Sequence, residues 1–261
     1  MNSQRFSTKD AARRRVWDRL QAERLARFPF PPHGRIPNFA GAELAARRLF
    51  DLSPWKDARR LKINPDAPQR PVREEALRRG IQVYVPTPRL RGGFMLLDPA
   101  AIPAEKIHEA AGLTTGRRWA TAIPLRKLPQ MDAIVCGSVA VTRLGHRCGK
   151  GEGYSDLEYA ILLELGHTPV TVATTVHDVQ ILEKFPRDPT DLPLSVIVTP
   201  TKTIHVRHPP RTPSGIDRRK LTEEDLEEMP VLRDLRSLAG PLPNRRRSFQ
   251  RDRGVRRASR H

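Results

Sequence analysis

Apolar residues recur every three or four positions in several stretches of the chain, which is the spacing that places them on one face of an α-helix. The stretches with this spacing run from Ser7 to about Phe28, Gly41 to Leu52, Pro71 to Arg79, Pro103 to Ala111 and Tyr154 to Leu165. Ser7 or Thr8 can cap the first predicted helix. In the second, the pattern directs Leu44 towards the core.

Short apolar runs bounded by Gly, Pro, Asn or Asp are typical of buried strands. Such runs occur at Leu61 to Ile63, Ile81 to Val85, Gly93 to Leu97, Asp132 to Val141, Pro169 to Thr174 and Leu194 to Thr199. Their alternation with helices predicts a mostly parallel sheet that is covered on both faces. Ligands bind beyond the carboxyl ends of the strands in such sheets. The glycine-rich stretch from Gly145 to Gly153 follows one of these runs and occupies that position.

The end of the chain divides into a last helical stretch and a tail. Thr222 is followed by three acidic residues, a pattern typical of a helix start. We expect Pro230 to kink or split this helix. Its inward-facing residues are expected to be Leu226, Val231 and Leu235. Almost nothing can be buried from Pro241 onward, so we expect one α/β domain over residues 1–240 and a disordered Arg-rich tail over residues 241–261.

The charge of the chain is strongly positive and unevenly distributed. Lys and Arg total 47, Asp and Glu total 29, and the formal net charge is +18. The last 21 residues hold eight Arg and one Asp, so they contribute +7 and leave +11 for the other 240 residues. Such a tail either makes weak nucleic-acid contacts through phosphates, without reading sequence, or is an uninvolved extension.

Composition excludes several classes of protein. Apolar residues make up 38% of the chain, which is enough for a core and excludes full disorder. No apolar run approaches the roughly 20 residues that span a bilayer, so we expect no membrane partner. The start of the chain lacks the apolar stretch of a secretory signal, and the two cysteines supply no disulfide framework. These features predict a cytoplasmic protein.

The strongest chemical signal is the segment 147–156, which reads RCGKGEGYSD. Three glycines at alternate positions let backbone N–H groups converge on an anion, helped by the N-terminus of the following helix. Arg147 and Lys150 add charge suited to phosphate, and Asp156 supplies the carboxylate oxygens that Mg²⁺ prefers. The spacing matches neither a P-loop nor the dinucleotide fingerprint. From the residues alone, the segment is either a phosphate-binding loop or an ordinary turn before a helix.

The same segment resembles the nucleotide loop of the 5-formyltetrahydrofolate cyclo-ligase (methenyltetrahydrofolate synthetase) family, whose pattern is R-L-G-x-G-x-G-Y-Y-D. Residues 9–13 (KDAAR) are similar to the N-terminal K-x-x-x-R of this family, and residues 175–180 (TVHDVQ), followed by Pro186 and Asp191, are similar to a later segment. The resemblance extends over about residues 9–238.

The chain is closer still to a divergent branch of this family, the methenyltetrahydrofolate synthetase domain-containing proteins. The segments that carry this resemblance are GRIPNF at 34–39, NPDAPQ at 64–69, VPTPRLR at 85–91 and GKGEGY at 149–154.

The resemblance implies a three-layer, Rossmann-like αβα sandwich with a mostly parallel sheet (NagB/RpiA/CoA-transferase-like). It also implies an ATP- and Mg²⁺-dependent enzyme that phosphorylates the formyl oxygen of 5-formyltetrahydrofolate and closes the ring to 5,10-methenyltetrahydrofolate. The residues implied to contact ATP are Lys9, Arg13, Arg147, Gly149, Lys150, Gly151, Glu152, Gly153, Tyr154 and Ser155. Those implied in catalysis are Arg147, Lys150 and Tyr154. Those implied at the folate are Glu43, Lys150 and Tyr154. Those implied as metal ligands are Asp156 and Asp191.

Four positions depart from the family pattern. Ser155 replaces a Tyr, Glu152 a frequent Gly, Thr190 a His and Ser195 an Asp. These changes leave the ATP and metal elements largely intact, and they affect the expected binding of folate. A non-catalytic or altered-substrate nucleotide-binding member of the family is therefore the alternative hypothesis, and an RNA-binding protein using the basic tail is the third.

Overall fold

The computed structural model describes residues 5–222, 227 and 229–238 of the 261-residue chain. The tail expected over residues 241–261 lies outside the described residues, as do Leu226 and the acidic residues expected to begin a helix after Thr222. Within the described part, no helix is both long and apolar enough to cross a membrane.

The regular elements alternate along most of the chain, as the pattern predicted. The helices are α1 (Lys9–Ala22), α2 (Ala42–Leu49), α3 (Arg70–Arg78), α4 (Ile107–Ala110), α5 (Tyr154–Glu164) and α6 (Pro230–Leu238). The strands are β1 (Ala26–Arg27), β2 (Asn38–Phe39), β3 (Arg60–Ile63), β4 (Gln82–Pro86), β5 (Phe94–Leu97), β6 (Ala120–Ile123), β7 (Ala133–Cys136), β8 (Ala140–Thr142), β9 (Arg147–Cys148), β10 (Val172–Thr175), β11 (Ile181–Leu182), β12 (Val196–Val198) and β13 (Thr203–His205).

The main sheet has eight strands in the order β13-β12-β10-β7-β3-β4-β5-β6. The five strands from β12 to β4 pair in parallel, whereas β13 on one edge and β5 and β6 on the other pair antiparallel. Helices cover both faces, so the fold is the mostly parallel three-layer α/β sandwich that the sequence predicted.

The central strand β7 divides the interior into two hydrophobic cores, because successive side chains of a strand point to opposite faces. Ala133 and Val135 pack in the core that contains α1, α2 and α3, whereas Ile134 and Cys136 pack in the core that contains α5 and α6. All four residues are buried. This is the pattern of a parallel strand covered on both sides.

The first helix is shorter than its apolar pattern indicated. Thr8 caps α1 as predicted, and its side chain accepts a hydrogen bond from the Ala11 N–H. The helix ends at Ala22 rather than near Phe28, because Arg24 adopts a left-handed conformation with φ of 55° and turns the chain towards β1.

Two further helical predictions need correction. Leu44 is 52% exposed, because α2 is short and packs on the sheet through its alanines and its last residue, so that Leu44 falls on the outer face. The helix predicted from Pro103 to Ala111 contains only the single turn α4, preceded by a 3₁₀ turn at Ala104–Lys106.

The apolar run from Asp132 to Val141 forms two strands rather than one. After β7 the chain leaves the main sheet, and β8 joins β9 and β11 in a separate three-stranded sheet. The Val139 N–H donates to the Cys148 carbonyl at 2.8 Å, so this segment pairs with β9 instead of extending β7. The break brings the chain around Arg147 to the carboxyl end of β7.

The prediction that Pro230 would kink or split the last helical stretch is confirmed as a split, because Glu227 is helical, Met229 is not, and a new helix begins at Pro230. Pro230 is the first residue of α6, where the N–H that proline lacks would have no partner in any case. Val231 and Leu235 are buried as predicted. The antiparallel edge strands β6 and β13 were not predicted, because their short, partly exposed sequences show little hydrophobic contrast.

Candidate functional site

The glycine loop, residues 149–153, connects β9 to α5 beside the carboxyl ends of the central strands. The backbone angle φ is 116° at Gly151 and 73° at Gly153, conformations that residues with side chains rarely adopt. Gly153 is the N-cap of α5 and provides no side-chain hydrogen bond to it. No N-cap side chain therefore competes with an anion for the first N–H groups of this eleven-residue helix.

Arg147 fixes the start of this loop. Its side chain is buried; Nε donates to the Gly137 carbonyl at 2.9 Å and Nη1 to Oδ1 of Asp156 at 3.1 Å. Burial alone would lower the pKa of Arg147, but the anionic groups around it, led by Asp156, outweigh burial and raise the pKa above its ordinary value. Arg147 therefore stays charged and ties the loop to the end of β7.

A first cavity of about 350 Å³ lies on one side of the glycine loop. Lys9 and Arg13, one turn apart on α1, line it together with Asp156 and Asp191. Arg13 Nε donates to the Gly149 carbonyl at 2.7 Å, so α1 also holds the loop in place. Glu152, Asp188 and Asp217 line the cavity as well, so it combines two cations and loop N–H groups with five carboxylates. The cations and N–H groups suit a polyphosphate, and the carboxylates suit the metal ion that accompanies it.

The two carboxylates predicted as metal ligands, Asp156 and Asp191, are already partnered. Lys9 Nζ lies 2.5 Å and 2.6 Å from the two oxygens of Asp191, and Asp156 Oδ1 accepts from the Leu192 N–H at 2.8 Å. Among the described residues, no group of three or more His, Cys, Asp or Glu side chains is arranged to hold a metal ion. Mg²⁺ that arrives with phosphate needs only one or two protein carboxylates. The donor set therefore fits a metal–nucleotide complex rather than a bare ion.

A second cavity of about 360 Å³ lies on the other side of the same loop. The residues that line both cavities are Gly149, Glu152, Gly153, Tyr154 and Asp156. The polar and charged residues that line only the second are Asn64, Asp66, Thr87, Arg89, Arg147, Lys150, Ser155 and Glu158. Two ligands bound in these cavities would meet at the glycine loop.

Asp66 is a candidate residue that the sequence reasoning did not assign. It follows β3, and a Cβ atom on Gly137 would lie only 2.8 Å from its Oδ2, so Gly137 makes room for this carboxylate. Burial raises the pKa of Asp66, although Lys150, Arg73 and Arg147 act in the opposite direction. The available signal was its position, since Asn64-Pro65-Asp66 directly follows a predicted strand at its carboxyl end.

The structure brings most of the predicted site residues together. Lys150 lines the second cavity, with Nζ 2.8 Å from the Glu152 carboxylate. Ser155, expected at ATP, lines the second cavity and accepts a hydrogen bond from Asn64 at 2.9 Å. Glu43, expected at the folate, is exposed in the first turn of α2 and lines neither cavity. The contribution of Glu43 therefore stays a prediction without support from the geometry.

Known proteins resemble this chain in sequence and in fold. The model of the 5-formyltetrahydrofolate cyclo-ligase family matches residues 7–200. The methenyltetrahydrofolate synthase domain-containing protein of Mus musculus is 39% identical over 243 residues, which are 90% of this chain and 65% of the relative. The 5-formyltetrahydrofolate cyclo-ligase of Escherichia coli (strain K12) is 29% identical over 149 residues, which are 54% of this chain and 76% of the relative.

A solved structure shares the fold. The NMR structure of the 5,10-methenyltetrahydrofolate synthetase of Aquifex aeolicus matches with a TM-score of 0.50 and 19% sequence identity, over 76% of this chain and 93% of that chain. This match supports the α/β architecture. The chain spans just under two thirds of the length of the mouse relative.

Proposed function

Because this chain belongs to the 5-formyltetrahydrofolate cyclo-ligase family, we propose that it is an ATP- and Mg²⁺-dependent ligase that converts 5-formyltetrahydrofolate to 5,10-methenyltetrahydrofolate. The observation that carries the proposal is the pair of polar cavities that share the glycine loop. A reaction that transfers a phosphoryl group from a nucleotide to a second substrate requires two sites that meet at the transferred group.

The proposed reaction transfers the γ-phosphoryl group of ATP to the formyl oxygen, which forms an O–P bond and releases ADP. The N10 nitrogen then attacks the formyl carbon and forms the new C–N bond. Loss of the N10 proton and of orthophosphate gives the methenyl product. Such a reaction needs aligned substrates and neutralised phosphate charge more than it needs a protein nucleophile.

In this proposal the first cavity binds the nucleotide. Lys9 and Arg13 face it from α1, and the N–H groups of the glycine loop and of the first turn of α5 point to the phosphates. Lys150 extends from the loop on the side of the second cavity, where it can follow the transferred phosphoryl group. Arg147 contributes indirectly, because it holds the glycine loop and Asp156 in place.

The metal ion in this proposal is held by Asp156 and Asp191 together with phosphate oxygens. Mg²⁺ supplies charge neutralisation at the phosphates when it is bound. Lys9 and Asp191 form an ion pair with each other, and in this proposal Lys9 would bind phosphate and Asp191 would bind the metal ion. An Asp191→Asn variant should therefore raise the Mg²⁺ concentration that gives half-maximal activity.

The second cavity binds the reduced folate in this proposal. Tyr154 lines both cavities and lies at the point where phosphoryl transfer would occur. A third cavity of about 490 Å³ adjoins the second and shares Pro65, Thr87, Pro88 and Leu113 with it. Its apolar lining suits the aminobenzoyl part of a folate.

The experiment that tests the proposal incubates the purified chain with 5-formyltetrahydrofolate and Mg-ATP and follows methenyl absorbance and ADP release. Equal amounts of product and ADP, both dependent on ATP, support the cyclo-ligase. ATP binding without product contradicts it and favours the altered-substrate alternative, for which Ser155 and its bond to Asn64 are the structural argument. If neither ATP binding nor product is detected, both the cyclo-ligase and the altered-substrate alternative are contradicted.

A further inference from the structure

A buried ion pair lies beneath the second cavity. Lys62 on β3 is 1% exposed and Glu158 on α5 is 4% exposed, and the Lys62 ammonium contacts Oε2 of Glu158 directly. Lys62 Nζ also donates to Asn64 Oδ1 at 2.8 Å, and Asn64 Nδ2 donates to Ser155 Oγ at 2.9 Å. Side chains from a strand and a helix are thereby locked into one polar network.

Glu158 is the member of this network that has an unused acceptor. It lines the second cavity. Its Oε2 interacts with Lys62 and, at 3.4 Å, with Asn64, whereas Oε1 accepts no hydrogen bond from any residue that the structure describes. Because Glu158 lines the second cavity, this oxygen can accept an N–H group that a ligand brings to it.

Packing alone does not require the pair. Two apolar side chains of similar volume usually serve a buried position as well as an ion pair does, because both charges lose their hydration. Burial raises the pKa of Glu158, and the adjacent Lys62 ammonium opposes that effect. Lys62 therefore holds the carboxylate in position and favours its charged form at the cavity wall.

The cavity also contains Asp66, but the environment of this carboxylate is different. No hydrogen bond or ion pair with a described residue fixes its side chain, whereas Glu158 is held by a direct ion pair. Glu152 and Asp156 also line this cavity, where it meets the glycine loop, and they pair with Lys150 and Arg147. Of the two carboxylates that line only the second cavity, Asp66 and Glu158, Glu158 is the one that an ion pair fixes.

We propose that Glu158, positioned by Lys62, recognises a heterocycle edge with two adjacent N–H donors, the 2-amino-4-oxopyrimidine edge of a pterin. Oε1 of Glu158 accepts one N–H of such an edge, and Oε2 accepts the other with the lone pair that its contact with Lys62 leaves available. This inference rests on the proposed function, since it assigns the pterin end of the folate to the second cavity. Glu158 is a specificity residue in this account, and Lys62 is a positioning residue.

The test compares two small probes that lack the tail of folate. Pterin carries the 2-amino group, and lumazine carries an oxygen in its place. Calorimetric titration of the full chain should show about tenfold or greater preference for pterin, because the 2-oxo group of lumazine presents an acceptor to the carboxylate where pterin presents a donor. Equal affinity for the two probes, or no measurable binding of pterin, would overturn the inference.

Two double variants keep the buried charges balanced. Lys62→Met with Glu158→Gln removes both charges, and Lys62→Glu with Glu158→Lys exchanges them and retains an ion pair. Both are expected to lose the preference for pterin, whereas a purely structural role for the pair leaves the preference unchanged in whichever variant folds. Circular dichroism and thermal unfolding check the fold. Glu164→Gln on the same helix is the matched control, since Glu164 pairs with Arg218 and lines neither cavity.

The test of pterin preference and the test of the cyclo-ligase reaction can fail independently. A preference for pterin that depends on Glu158, found without methenyl formation, retains the inference and overturns the cyclo-ligase. Methenyl formation with no difference between pterin and lumazine retains the enzyme and overturns the inference.

Discussion

The ammonium group of Lys9 lies 2.5 Å from Oδ1 and 2.6 Å from Oδ2 of Asp191, although 182 positions separate the two residues. Lys9 begins α1, and Asp191 lies in the segment between β11 and β12. Both residues line the first cavity, so the contact brings together a cation suited to phosphate and an anion suited to metal. One ion pair of the protein therefore contains both the cation that would bind phosphate and the anion that would bind the metal ion.

Substitution Lys9→Gln should weaken nucleotide binding. It removes a charge-assisted contact to phosphate and leaves Asp191 to repel the ligand, so we expect the Kd for Mg-ATP to rise about tenfold or more. Lys56→Gln, an exposed lysine outside both cavities, is the control and should bind as the parent does. Calorimetric titration with Mg-ATP measures both, and an unchanged Kd for Lys9→Gln would contradict the assignment.

Arg13→Gln tests whether α1 orders the glycine loop. The variant loses the 2.7 Å hydrogen bond to the Gly149 carbonyl and one cation of the first cavity, so affinity for ATP should fall about tenfold. Arg14 is the next residue on the helix and points to solvent, so Arg14→Gln loses a charge without touching the loop. Titration of both variants with Mg-ATP separates the effect of the lost hydrogen bond from that of the lost charge. Equal losses of affinity would show that only net charge affects binding, and would contradict the contact between Arg13 and the loop as its cause.

Arg147→Met should destabilise the protein. The substitution leaves the Asp156 carboxylate and the Gly137 carbonyl without their guanidinium partner in a largely buried site. We expect a loss of about 3 kcal/mol in the free energy of unfolding. The exposed Arg126 provides the comparison, because Arg126→Met should change stability by less than about 0.5 kcal/mol. Urea unfolding measures both values, and similar stabilities for the two variants would contradict the role of Arg147.

His177 should make stability depend on pH. Burial lowers its pKa, with Asp178 and Glu23 acting against that effect, and its Nδ1 accepts from the Val179 N–H at 3.3 Å. The unfolded chain therefore binds a proton more readily, so stability falls as pH drops through the ordinary histidine range near about 6.5.

The variant His177→Asn keeps a side-chain acceptor for the Val179 N–H but has no group that titrates. It should lose less free energy of unfolding than the parent between about pH 7.5 and about pH 5.5. His146 and His167 remain in both proteins, so the difference between the two isolates His177. Equal losses, measured by urea unfolding at the two pH values, would contradict this assignment.

The elements with strong local signals were predictable from sequence. Helix α5, its preceding glycines and the parallel strands follow from apolar spacing and residue type, and the structure places Lys9, Arg13, Asp156 and Asp191 around one cavity as the family resemblance implied. The end of α1 was not predictable in this way, because a single left-handed residue, Arg24, ends it within an unbroken apolar pattern.

Features that depend on distant parts of the chain were missed for a different reason. Lys62 and Glu158 are 96 positions apart, and their contact exists only because β3 and α5 pack against each other. Asp66 was missed because one sequence does not reveal which polar residue near a strand faces the site, whereas Glu43 was implied by the family resemblance alone. The packing of β3 against the glycine loop, rather than local propensity, decides which side chain faces the site.

The most direct test of the account labels the formyl oxygen of 5-formyltetrahydrofolate with a heavy isotope. The chain is incubated with this substrate and Mg-ATP, and the released orthophosphate is analysed by mass spectrometry. Phosphoryl transfer to the formyl oxygen requires that oxygen to leave with phosphate, so we expect one labelled oxygen in each orthophosphate and one methenyl product for each ATP consumed. Unlabelled orthophosphate, or ATP hydrolysis without methenyl product, would contradict the account.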